Sequence, residues 1–147
     1  MDGWLGLVGA AVGAGIAIVG QYVTTRRERK GRLAELLLEQ CAQAVALEED
    51  FRSRLFEERR LGRIGRVEEW DLRASTLAGA RLRLLSNNEE LLASARELAE
   101  AGTDLGRYWR TGGREPEEVD RLWRRHRQGI DSFIGVAGVV VRDRIRT

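Results

Sequence analysis

Trp4–Val23 reads WLGLVGAAVGAGIAIVGQYV, twenty residues without a charged side chain. At 1.5 Å per residue, Trp4 to Tyr22 covers about 27 Å, close to the ~30 Å hydrocarbon core of a bilayer. An aromatic ring stands at each end of the run, where amphipathic rings settle at the membrane interface. The stretch predicts a single transmembrane helix. A cleaved signal peptide would carry a basic n-region, yet only Met1, Asp2 and Gly3 precede the run. A buried soluble helix is the other reading, and the glycines weigh against it at ~1 kcal/mol each in water. In a bilayer the helix is enforced, because no solvent satisfies a broken backbone.

The flank sets the orientation. TTRRERKGR follows, with Arg26, Arg27, Arg29, Lys30 and Arg32 against the single Glu28. Basic flanks stay in the cytoplasm, so the N-terminus is expected outside and residues 26–147 inside. The same five side chains form a membrane-surface set attracted to anionic headgroups. Within the run Gly6, Gly13 and Gly20 recur every seven residues. Gly9, Gly13 and Ala17 form one small-xxx-small row, and Gly6, Ala10 and Ala14 a second. Small residues on one face let backbones approach closely, which is what drives helix association in lipid. Gly6, Gly9, Ala10, Gly13, Ala17 and Gly20 are therefore the candidate helix–helix interface.

Beyond the span the period becomes helical. Leu33, Leu37, Gln40, Ala44, Leu47, Phe51 and Leu55 follow a four-three spacing, a heptad-like seam. Leu61-Gly62-Arg63-Ile64-Gly65 breaks it. A second helix is predicted over about 66–85, burying Val67, Trp70, Ala74, Leu77 and Leu84. Ser86, Asn87 and Asn88 are N-cap candidates for a third, whose Glu89 and Glu90 suit its positive end. Its apolar side carries Leu91, Leu92, Ala95, Leu98, Leu105 and Trp109, and Thr111-Gly112-Gly113 ends it. Pro116 opens a fourth helix at a tolerated position, burying Val119, Leu122, Trp123, Ile130, Phe133, Ile134, Ala137 and Val140. Short connections favour an all-α antiparallel bundle of about four helices behind the transmembrane segment of residues 1–25. The fourth returns toward the membrane, so Phe133–Val141 should pack on the juxtamembrane half of the first. The first helix is almost twice as long as the second, which leaves its upper half short of neighbours and invites another subunit.

Catalytic chemistry finds little to use. The 147 residues hold one His and one Cys, with 25 basic and 23 acidic side chains and a net charge of +2. All the basic side chains but Lys30 are arginine. Cys41 has no intrachain disulfide partner, so a reducing compartment is the simplest reading. His126 lies in register with Leu122 and Ile130 and reads as a structural histidine. No Asp or Glu stands three or four residues from it, as an inward-facing helical metal motif requires. Zinc would need carboxylates or several subunits. No Gly-x-Ser-x-Gly elbow and no Walker loop occur. Glu48-Glu49-Asp50 and Glu57-Glu58, interleaved with arginines, read as solvated ion pairs. The arginine clusters could meet nucleic acid, but the nearly even charge balance argues against it. No catalytic, cofactor-binding or metal-binding residue is assigned.

The order WLGLVGAAVGAGIAIVGQYV, TTRRERK, RLAELLLEQ and RLRLLSNNEELLASARELAEA resembles the uncharacterised short single-span membrane proteins of actinobacteria and actinophages. That resemblance implies an inner-membrane location and a helical cytoplasmic part, and carries no catalytic residues. The expected function is a non-enzymatic, oligomeric, membrane-anchored scaffold or adaptor. Its partners would be membrane lipid, further copies of itself and a cytoplasmic protein. The alternative is a membrane-perturbing effector, a lysis accessory or a cell-death effector of a defence system, acting through the Gly-rich span.

Overall fold

The computed structural model describes the backbone of residues 3–146 and the side chains of residue 25 and of residues 28–146. Four helices account for most of it: α1 Gly3–Leu61, α2 Leu72–Leu85, α3 Glu89–Arg110 and α4 Pro116–Arg146. No strand occurs among the described residues. Successive helices run antiparallel. Along α1 and α4, Glu48 meets His126 and Arg59 meets Asp120 at 2.7 Å.

Each boundary has a local cause. Gly62 (φ 67°) and Gly65 (φ 89°) take the left-handed backbone that ends α1, a region open to glycine at little cost. Asn88 caps α3 by accepting from the Leu91 amide at 2.8 Å, with Glu89 and Glu90 behind it in the first turn. Gly112 (φ 88°) closes α3, and an added Cβ on Gly113 would lie 2.5 Å from the Tyr108 ring. Replacing Asn88 with alanine removes the cap bond and should cost about 1 kcal/mol. Urea denaturation checks this, and an unchanged midpoint would mean that the cap is dispensable.

The second helix departs from the sequence reading. It starts at Leu72, not near residue 66, with Asp71 as its N-cap accepting from the Ala74 amide at 3.0 Å. Residues 62–71 fold back on α1 instead. Glu58 accepts from the Val67 amide at 2.8 Å, and the Trp70 indole donates to the Leu47 carbonyl at 3.0 Å. Val67 is buried and Trp70 half-buried as expected, but on a loop. On α2 the inward residues are Ala78 and Leu82, so Leu77 and Leu84 point out, Leu84 at 86% exposure. Leu33 and Ile134 are likewise exposed, with Ala34 and Cys41 in the inward positions on α1.

Two apolar clusters hold the helices. The first joins Leu37 and Cys41 of α1 to Leu82, Leu91, Leu98, Phe133, Ala137 and Val140. It carries the predicted packing of the end of α4 on the early bundle part of α1. The second joins Phe51 and Leu55 to Val67, Leu105, Trp109, Val119 and Leu122. Between them α1 is covered from Ala34 to Leu55. The upper half of α1 is therefore not bare, because the 31 residues of α4 reach past the end of α2. Arg59 and Arg125 tie α4 to its neighbours through Asp120 and Asp104. The Arg59 guanidinium holds the Asp120 carboxyl below the usual range. Such a bond is fully present above the unfolded-state pKa and fades as pH falls through the lowered native one.

Candidate functional site

The sequence named two sets of residues. Gly6, Gly9, Ala10, Gly13, Ala17 and Gly20 belong to α1, but their side chains lie outside the described residues. The same holds for Arg26 and Arg27, whereas Arg29, Lys30 and Arg32 are described and exposed. Among the described residues no helix is long and apolar enough to cross a membrane. The side chains of the expected span, residues 4–23, lie outside them.

Helix α4 brings a second basic group toward that end. Its last turns carry Arg142, Arg144 and Arg146, and Arg144 donates to the Leu85 carbonyl at 2.9 Å, capping the end of α2. Phe133–Val141 is an unbroken apolar nonapeptide, FIGVAGVVV. It buries one side in the first cluster and leaves Ile134 and Val139 half exposed.

The most unusual chemistry is one that sequence spacing did not show. Glu48 was read as a solvated acid, but it is 5% exposed and its Oε2 lies 2.7 Å from His126 Nε2. His126 is fully buried, so its partner comes from another helix, 78 residues away, rather than from its own next turn. Phe51 presents its ring edge-on to the imidazole at 5.6 Å. Ser75 of α2 donates to the other carboxylate oxygen at 3.4 Å. From α3, Gly102 comes so close that an added Cβ would lie 2.8 Å from Glu48 Oε2 and 3.3 Å from His126 Nε2. Glycine at position 102 is what lets the helix backbone cover the pair. A mid-helix Gly with a packing reason was the available signal.

This arrangement ties α2 and α4 to α1 through one carboxylate, with the α3 backbone packed over it at Gly102. It does not have the order of a nucleophilic triad, where the imidazole stands between hydroxyl and carboxylate to take the proton. Here Glu48 stands in the middle, and His126 Nδ1 is buried with no hydrogen-bond partner among the described residues. No group of three or more His, Cys, Asp or Glu side chains among the described residues could hold a metal ion. Burial pushes the Cys41 thiol up to about 11, so the thiolate that would act as nucleophile or ligand is disfavoured at neutral pH. No protein-family model, curated protein or solved structure matches the chain.

Proposed function

We propose that the chain is a membrane-anchored, non-enzymatic scaffold. In this reading residues 4–23 cross the bacterial inner membrane once, with the N-terminus outside. The bundle lies in the cytoplasm and presents its surface to a protein partner, and the small-residue rows around Gly13 associate the spans. The observation that carries the reading is the single helix α1, Gly3–Leu61. It runs from the uncharged stretch through the basic stretch into both apolar clusters, so whatever holds residues 4–23 also positions the bundle. The sealed polar pair and the raised Cys41 thiol support a structural role for the interior.

Alkaline carbonate extraction of bacterial membranes, with a reporter fused to the C-terminus, tests the anchor. The chain should stay in the membrane pellet, the reporter should read cytoplasmic, and membrane potential should remain normal. Release by carbonate would overturn the anchor. Depolarisation that Gly13→Ile abolishes would overturn the scaffold and assign a membrane-perturbing effector.

A further inference from the structure

We propose that the outer groove between α1 and α4 is the face on which a second copy of this chain packs, the two copies lying parallel about a two-fold axis along the helices. The inference rests on the anchored reading, which holds all copies in one orientation.

Two lines of apolar side chains edge this groove. On α4, Trp123, Ile134 and Ile145 stand eleven residues apart, close to three turns, so they share one line of the helix. Ile134 is 50% and Ile145 68% exposed. On α1, Leu38 and Phe56 stand eighteen residues apart, which is five turns and again one line. They are 55% and 47% exposed. The two lines are neighbours. Arg52, one turn before Phe56, stacks its guanidinium 5.2 Å from the Trp123 ring centre, and Phe56 and Trp123 line a common cleft of about 470 Å³. The Glu48–His126 and Arg59–Asp120 pairs fix the antiparallel register and place Leu38 between Ile134 and Ile145 in height. An apolar helix face is ordinarily covered, and no described residue of the chain covers this one.

Charge selects the occupant. From residue 33 to residue 51 every charged side chain of α1 is acidic, and Glu35, Glu39, Glu49 and Asp50 are exposed. The facing stretch of α4 is basic from residue 121 to residue 130, with exposed Arg124 and Arg127, and Arg142 follows beyond Asp131. Beside the Leu38–Phe56 line the α1 wall carries Glu35 and Glu49, the latter also meeting Arg52 of its own helix at 3.1 Å, and in the antiparallel register Glu35 is level with Arg142 and Glu49 with Arg127 of the α4 wall. A two-fold axis along the helices keeps those heights and sets the α1 wall of one copy against the α4 wall of the other. The Glu35 of each copy then faces the Arg142 of the other, the self-complementarity that an isologous interface needs. Lipid does not suit the groove. Phe56 lies 24 residues beyond Arg32, about 36 Å along the helix, far past any headgroup layer.

The test uses the full chain in bacterial membranes, carrying two different tags and a photo-crosslinking amino acid at position 134. Wild type should crosslink to itself. Glu35→Arg and Arg142→Glu chains, expressed singly, should self-pair roughly fivefold less or worse, as two attractive pairs become repulsive. Expressed together, they should pair with each other, because both contacts are then complementary. Crosslinking of position 134 to another protein alone, or failure of the mixed pair to form, would overturn the proposal. A membrane-retained chain without self-crosslinks sinks the groove and spares the anchor. A chain that leaves the membrane yet crosslinks to itself sinks the anchor and keeps the groove.

Discussion

Replacing His126 with leucine should destabilise the full-length chain in detergent by about 3–5 kcal/mol, the cost of leaving one member of a buried pair alone. Glu48 is 5% exposed and its Oε2 loses its His126 partner, leaving only the long bond from Ser75. Glu48→Leu should cost a similar amount, since His126 would then have both ring nitrogens buried and unpaired. The double variant Glu48→Leu/His126→Leu should recover most of the loss. Replacing both partners of a buried pair by apolar groups of similar size is often neutral or better. Denaturant titrations of the four chains form a double-mutant cycle, and a coupling of at least ~2 kcal/mol is expected. Additive single effects, or single variants that cost under ~1 kcal/mol, would mean that the pair is not a structural tie. Gly102→Ala offers an independent check, because its methyl group would press on both members of the pair.

Much of this bundle was legible in the chain because its punctuation is local. Gly62, Asn88, Gly112 and Pro116 act on their own backbones, so each marks a helix end without knowledge of what packs nearby. The departures are all tertiary. Val67 and Trp70 keep helical spacing, yet Glu58 and the Leu47 carbonyl take up the Val67 amide and the Trp70 indole of that segment and hold it as a loop. Leu77 and Leu84 look like core by residue type, but Ala78 and Leu82 face inward because α2 lies close on α1. The Glu48–His126 pair was hidden for the same reason. A helical search looks three or four residues away, and the carboxylate arrives from another helix. The groove between α1 and α4 was half visible in residues 33–51, where every charged side chain is acidic, and in the arginines between 121 and 127. Only the antiparallel register sets those runs at matching heights.

Phe51→Ala should produce the other large loss, about 3–5 kcal/mol for deleting a buried aromatic from a packed core. Phe51 is 1% exposed and belongs to the second cluster with Leu55, Val67, Leu105 and Val119. It also meets the Trp70 ring at a 52° tilt, 5.1 Å between ring centres, and meets His126 edge-on. Each such aromatic contact adds about 0.5–1.5 kcal/mol beyond the buried area. The substitution therefore acts on three features together: it opens a cavity, loosens the 62–71 loop that Trp70 anchors, and removes the wall beside the Glu48–His126 pair. A Phe51→Leu chain separates these contributions, since it keeps most of the volume and loses the ring contacts. It should recover more than half of the stability while leaving Trp70 more mobile. Denaturation gives the stability, and tryptophan emission from single-tryptophan chains keeping Trp70 reports the loop. If Phe51→Leu were as damaging as Phe51→Ala, the ring geometry would matter more than the filled volume. If both cost under ~1 kcal/mol, the second cluster would not be a core at all, because Phe51 bridges the loop, the apolar cluster and the polar pair.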